Sequence, residues 1–334
     1  MRTILPALSP EDYSATCMQP DRYEISPAGR RRLSGFLQRR TAKLGLPTWG
    51  EFAFGGAFVA AGTVIILTGT KALQVNPASV HAPYWVLTVA GTSFVLGGFM
   101  VWGIAWKQFA ANRSRLEATR RHPNEPALVD YPWHPDGFAV SEWTGAAKAL
   151  GLAIGLSVFL SMFNWWAFGT TGPWIVKGIV GLFDIAALLM WAQAAQQLGR
   201  ALKFGHSQII FVHFPYRLPE PVVIRWQPGG GINRVNRGTF TLRCIEEWME
   251  RSGSGQNQNA VLVHEEIWSA RWIIEQPRNF PLNEAMDLRY ELPADVFPTQ
   301  LSADKPLFWE LEVKLGLPGL DFNETYLVPV YGSV

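Results

Sequence analysis

The polar and apolar positions of this chain follow two different rhythms. Between residues 52 and 198 the apolar residues come in blocks, at about 52–70, 84–106, 149–171 and 173–198; the first three carry no charge and the fourth carries only Lys177 and Asp184. A helix rises 1.5 Å per residue, so about 20 apolar residues cross a hydrocarbon core of about 30 Å. Each block is predicted to be a transmembrane helix. After residue 205 the blocks give way to short runs rich in β-branched and aromatic residues: "SQIIFVHF", "EPVVIRW", "GTFTLRCIEEW", "AVLVHEEIWSARWIIE", "MDLRYELP", "LFWELEVKL" and "TYLVPVY". Turn compositions such as "RLPEP", "PGGGINRVN" and "LPGLDFNE" separate them. Runs of this spacing predict an antiparallel β-sandwich.

In "FWELEVKL" the alternation places Trp309, Leu311, Val313 and Leu315 on one face and Glu310, Glu312 and Lys314 on the other, so one packed and one wet face is expected. "TYLVPVY" reads as the closing strand, and Pro329, which cannot donate to a ladder, puts it at an edge or a strand end. Glu310, Glu312, Lys314, Tyr326 and Pro329 therefore form the candidate partner surface.

The fold class expected is α plus β in separate domains, a four-helix transmembrane bundle followed by an antiparallel β-sandwich. The expected domains are an N-terminal segment 1–50, partly disordered; helices within 51–204, with a link 107–148; and a sandwich 205–334. Charge adds the orientation. "GRRRLSGFLQRRTAK" precedes the first block, "WKQFAANRSRLEATRRH" follows the second, and Arg200 and Lys203 follow the fourth. Because cytoplasmic loops retain Lys and Arg, both termini and the link are placed in the cytoplasm. The N-terminus has no apolar core of signal-peptide length. An inner membrane of a bacterium is the expected location, and the lipid bilayer is the first partner.

Composition narrows the chemistry. Of 334 residues, 17% are charged, 15 are Trp and 20 are Phe, an aromatic-rich and charge-poor balance that fits membrane contact. A net charge of +2 without basic patches interleaved with aromatics argues against nucleic acid. Cys17 and Cys244 stand in no metal or disulfide spacing and read as reduced, structural thiols. His81, His122, His134, His206, His213 and His264 show no ligand spacing either, so no metal and no cofactor is expected. "HEEIW" lacks the second histidine of a zinc-protease helix, and "PGGGIN" precedes a strand rather than the helix that a phosphate loop needs. Neither a nucleophile elbow nor any other catalytic constellation is present. Arg217, Glu220, Arg225, Asp130 and His134 are too dispersed to define a pocket.

Asp184 lies near the middle of the fourth block, where a carboxylate is costly and faces the bundle interior. A protonated or hydrogen-bonded structural role is expected, with partner docking and ion or proton transport as functional alternatives. Lys177, about 10 Å away along the axis, is expected to snorkel to the outer interface. Gly151 and Gly155, with Gly178 and Gly181, would let helices approach closely, within the chain or along a dimer face.

Three stretches carry a resemblance: "HPNEPALVDYPWHPDG", "LKFGHSQIIFVHFP" followed by "PGGGINRVNRGTF", and "WELEVKLGLPGLDFNETYLVPVY". In these the chain resembles a group of uncharacterised bacterial multi-pass membrane proteins, a domain-of-unknown-function family with a few membrane helices and a cytoplasmic β-rich tail. That tail is similar to arrestin-like and immunoglobulin-like sandwiches. The resemblance implies an architecture and no catalytic residue. The function expected is a membrane-anchored protein-binding scaffold or accessory subunit, with a protein partner or a second copy of the chain. The rival is a small transporter or channel component using Asp184.

Overall fold

The computed structural model describes residues 21–26, 30–33, 49–76, 83–122, 125–170, 174–252, 259–280, 285–293, 297–301 and 305–332. Cys17 and His81 lie outside the described residues. Among the described residues the protein is mixed, with five helices, four of them long and apolar, and mostly antiparallel sheets. It divides into two compact units. One takes the described parts of Met1–Lys43, Ala118–Glu142 and Arg200–Val334; the other takes those of Leu44–Glu117 and Trp143–Gly199.

The long helices are α1 (Trp49–Gly69), α2 (Tyr84–Arg121), α4 (Glu142–Gly169) and α5 (Trp174–Phe204), with a single turn α3 (Pro126–Val129) in the link. By rise alone α1 measures about 31 Å and α2 about 57 Å, so α2 outlasts a hydrocarbon core of about 30 Å. It continues through charged residues to Arg121.

Glycines at a spacing of seven join α1 to α2. A methyl group added to Gly62 would stand 2.6 Å from the Gly91 carbonyl oxygen, and one added to Gly91 would stand 2.6 Å from that of Gly62. Gly98 meets the carbonyl of Gly55 at 2.7 Å in the same way, and Gly69 meets that of Tyr84 at 2.8 Å. The two helices thus touch backbone to backbone along an antiparallel seam, which only residues without a Cβ permit. Trp102 locks one end: its indole lies in the notch left by Gly55, and its N–H donates to the Phe52 carbonyl at 2.9 Å. Gly151, Gly155, Gly178 and Gly181, expected to pack helices together, instead face open space. Side-chain hydrogen bonds join α4 to α5. Trp191 Nε1 donates to Ser157 Oγ at 2.9 Å, and one heptad further Asn164 Nδ2 donates to Asp184 Oδ1 at 2.8 Å.

The other unit is built on two sheets. The larger runs β1 (Arg22–Ser26), β9 (Asn259–Ile274), β8 (Arg237–Ser252), β12 (Leu307–Gly316) and β13 (Phe322–Val328), with β2 (Arg31–Arg32) also on β9. The smaller runs β11 (Met286–Tyr290), β6 (Val222–Gln227), β4 (His206–Phe211) and β3 (Gly137–Ser141). One core cluster takes Ile209, Ile224, Trp226 and Leu288 from the smaller sheet and Phe240, Leu242, Trp309, Leu311 and Phe322 from the larger. Every one of the seven predicted runs supplies a strand. Sequence reading missed β1, β2 and β3, together with the two-residue pairs β7 (Arg234–Val235) with β10 (Arg278–Asn279) and β5 (Tyr216–Arg217) with β14 (Val330–Tyr331).

One expectation for the last hairpin is corrected. β12 is an inner strand, bonded to β8 on one side and β13 on the other. Its second face is not wet at one end: Phe308 packs with Ile245, Leu301 and Leu327 in a second small core, against which Leu33, Tyr131 and Trp133 lie. Pro329 does end a strand as expected. Beyond it β14 leaves the large sheet and pairs in parallel with β5.

The link contributes β3, whose ladder with β4 runs from Gly137↔Ile210 to Ser141↔His206. The chain between these strands is α4 and α5. Gly205, at φ 61°, ends α5 in the left-handed conformation, its N–H donating to the Ala201 carbonyl at 2.9 Å. The glycine run answers to the same helix end. A Cβ on Gly229 would stand 1.8 Å from the Phe204 carbonyl oxygen, and one on Gly231 would stand 2.0 Å from that of Lys203. "PGGG" is therefore a close backbone approach to a helix terminus.

Gly62→Leu is expected to cost the folded protein about 1–3 kcal/mol, the usual toll of overpacking, whereas Gly151→Leu, in open space, leaves stability unchanged. Unfolding of the purified protein in detergent against denaturant measures both.

Candidate functional site

Sequence reading placed the polar candidates of the helices at Asp184 and Lys177, and the structure does not bring them together. Asp184 is half-buried and takes its hydrogen bond from Asn164 on α4. Lys177 stands in the first turn of α5, three residues after Trp174. The Asn164–Asp184 bond bridges two helices, which fixes their rotation about each other.

The partner-surface candidates separate into buried and exposed. Tyr326 is fully buried; it donates to Ser207 Oγ at 2.6 Å and accepts from Trp226 Nε1 at 3.4 Å. Burial pushes its phenol well above the ordinary range. Pro329 is buried, and its carbonyl accepts from the Tyr216 N–H at 3.0 Å. Glu310 is 1% exposed, because Arg243 lies directly across the ladder from it and donates Nε to its Oε1 at 2.7 Å. Arg243 also reaches Glu312 at 3.2 Å, and Lys314 reaches Glu312 from the other side at 2.9 Å. Burial works against the charge on Arg243, yet Glu310 and Glu312 outweigh it and hold the guanidinium above its ordinary range. Glu310, Tyr326 and Pro329 are thus internal, and only Lys314 of the five is openly exposed. Lys314 and Arg237 lie along a groove of about 600 Å³ at the end of the large sheet, floored by Ile273, Leu315 and Phe322.

Two groupings were not found from the sequence. The first is the far half of the β8–β9 hairpin. These strands are 16 residues each, about 53 Å at 3.3 Å per residue. Among the described residues, β12 and Pro306 before it bond to β8 as far as Glu247, and on the other side β1, β2 and Leu33 cover β9 from His264 onward. Past these points β8 and β9 pair with each other, Met249↔Leu262 and Glu250↔Val261, with Met249 47% and Val261 43% exposed. At the base of this arm Glu247 meets His264 Nε2 at 2.8 Å, both buried, and Lys305 lies over the Trp248 ring. "HEEIW" is hence a strand whose histidine is held by a cross-strand carboxylate. The length of both runs, far above the usual five or six residues, was the signal available.

The second grouping gathers Glu142, Arg200 and Glu324. Arg200 forks onto Glu142, Nη2 to Oε1 at 2.6 Å and Nε to Oε2 at 3.3 Å, while the same Nη2 donates to Glu324 Oε1 at 3.3 Å. Its Nη1 donates to the Asp321 carbonyl at 3.3 Å. Burial first, then the neighbouring Glu142, lifts the Glu324 carboxyl from 4.5 to about 7 against the pull of Arg200. Nothing in the separate stretches that supply these residues marks them as neighbours.

Among the described residues no group of three or more His, Cys, Asp or Glu side chains is placed to hold a metal ion. Cys244 is buried, and burial pushes its thiol far above the ordinary range, which makes it an inert core residue.

No family model matches the chain, and no curated protein matches it. Among solved structures it is similar to Spo0M, a sporulation control protein from Bacillus subtilis, at 12% identity over 37% of this chain and 48% of that one, with a TM-score of 0.22.

Proposed function

We propose that this is a multi-pass protein of a bacterial inner membrane, in which four spanning helices hold a cytoplasmic β-sandwich of arrestin-like or immunoglobulin-like type. The sandwich works by binding a protein partner, as a scaffold or an accessory subunit. The observation that carries this reading is the free half of the β8–β9 hairpin. Among the described residues these strand edges have no further strand partner, and such edges, with the exposed apolar side chains of Met249 and Val261, are what a partner strand or apolar surface would use.

The topology has its own support. β1 and β2 precede α1, β3 lies between α2 and α4, and β4 to β14 follow α5, yet these strands belong to one compact unit. Segments of one unit stand on one side of a bilayer. Two crossings between each successive pair of segments satisfy that, and the Lys and Arg excess in the same segments favours the cytoplasmic side.

A second reading, a transporter or channel component, rests on Asp184. Its bond to Asn164 favours a helix-joining role over transport, because interhelical hydrogen bonds of this kind hold packing.

A photo-crosslinking residue at position 249 or 261, in native membranes, is expected to form one discrete protein adduct. Met249→Asp with Val261→Asp is expected to abolish it while the thermal midpoint stays put. The absence of any adduct at both positions would sink the binding reading. Asp184→Asn, which keeps a hydrogen-bonding side chain for Asn164, is expected to leave ion flux in proteoliposomes unchanged. Asp184→Leu is expected to loosen the helix pair by about 0.6–1.7 kcal/mol, measured by unfolding in detergent. Flux lost in the Asn variant would restore the transport reading.

A further inference from the structure

We propose that Glu142, Arg200 and Glu324 form a proton-binding latch, in which one exchangeable proton on Glu324 lets two carboxyl groups share one guanidinium and so ties the ends of α4 and α5 to the edge strand β13. The geometry sets the charge problem. A single nitrogen of Arg200 contacts both carboxyls, at 2.6 and 3.3 Å, and the side chains of Arg200, Glu142 and Glu324 are only 18%, 7% and 18% exposed. With both acids ionised, this enclosed site holds two negative charges against one positive. Like charges that close do not both ionise at ordinary cost, and a proton on one of them turns repulsion into a hydrogen bond.

Which acid holds the proton follows from the contacts. Glu142 has the forked contact with Arg200, and its own N–H extends the β3–β4 ladder by donating to the Gly205 carbonyl at 3.1 Å. Glu324 has only the longer contact, and it lies within hydrogen-bonding reach of Glu142.

The charged and titratable groups around Glu324 do not offset the excess. From α4 comes Glu142, and from α5 come Arg200 and Lys203. Lys203 is taken up by the carbonyl oxygens of Pro318 and Leu320, at 2.8 and 2.9 Å. From the loop before β13, Asp321 accepts at its carboxylate from the Leu317 N–H. On β13 itself Tyr326 is bonded to Ser207 of β4. On β12, Val313 lies opposite Glu324, and the adjoining charges Lys314 and Glu312 pair with each other.

The sign of the effect is fixed. The Glu324 carboxyl titrates at about 7 in the folded protein against 4.5 as its ordinary value. The folded state therefore holds the proton more tightly than the unfolded one. The stability this contributes is fully present below about pH 4.5, falls as pH rises through about 7, and is absent above. Alkaline conditions loosen the latch and mild acid closes it.

The test uses the full chain in nanodiscs, with glutamate carboxyl carbons labelled for NMR and the thermal midpoint followed from about pH 5 to about pH 8.5. The expected result is one carboxyl titrating near neutrality, absent in Glu324→Gln. That variant, an uncharged copy of the protonated acid, matches the native midpoint at the acid end and exceeds it at the alkaline end. Glu142→Gln provides the second arm and is expected to move the Glu324 midpoint down by about one pH unit or more. A Glu324→Gln protein less stable than the native one at the alkaline end would overturn the proposal. So would the absence of a carboxyl titrating between about pH 6 and 8, or a Glu324 midpoint that Glu142→Gln leaves in place.

Discussion

The arrangement depends most on one short ladder. β3 and β4 pair over five residues, and the chain between them, 142–205, is a pair of long helices where a hairpin would have a turn. Paired strands stand about 4.8 Å apart, while packed helices need about 8–10 Å. The join has to widen by several ångströms without stranding buried polar groups. It does so in stages: the Glu142 N–H adds one more rung to the ladder, Gly205 turns the chain out of α5, and the Arg200 fork covers the carboxylate at the start of α4. Gly229 and Gly231 then let the backbone after β6 close against the last carbonyls of α5.

A second constraint lies on the face of the large sheet away from the main core. There Glu310, Glu266 and Glu247 are buried, and Arg243 and His264 are the bases beside them. Such a network adds little net stability, since desolvation consumes most of what the pairing returns. Its value lies in register. A one-residue slip of β12 against β8 would carry Glu310 away from Arg243 and into the apolar core, so the ion pair favours the native alignment.

The blocks and runs were legible because each answers to a single solvent boundary. Apolar blocks mark helices long and apolar enough to cross a membrane, and alternation marks strands with a packed face. What stayed hidden needed a partner far along the chain. β1, "RYEIS", alternates only Tyr23 and Ile25 with polar residues, too short a pattern to stand out, and becomes a strand because Ile273 to Ser269 offer it an edge. α4 begins at Glu142, ahead of its apolar block, because its first turns serve the ladder and the Arg200 fork rather than lipid. The heptad of Gly55, Gly62 and Gly69 is visible in the sequence, but so are the closer pairs Gly151/Gly155 and Gly178/Gly181, and period alone does not say which face meets a neighbour. Asn164 was visible as one of few polar residues at depth, and its pairing with Asp184 required knowing that α4 and α5 run antiparallel. The Glu142–Arg200–Glu324 cluster was illegible for the same reason in stronger form, since Glu324 comes from a strand 124 residues beyond Arg200.

The long hairpin of β8 and β9 also has a bearing on solubility. An arm whose edges have no strand partner among the described residues can template an extended chain, and exposed Met249 and Val261 would favour that. Glu250 stands opposite Val261 and pairs with Arg32 at 2.7 Å, so a carboxylate and a guanidinium flank one of the exposed apolar residues of the arm. Charges placed there make indiscriminate strand addition costly while leaving the arm open to a partner that carries its own matching charges.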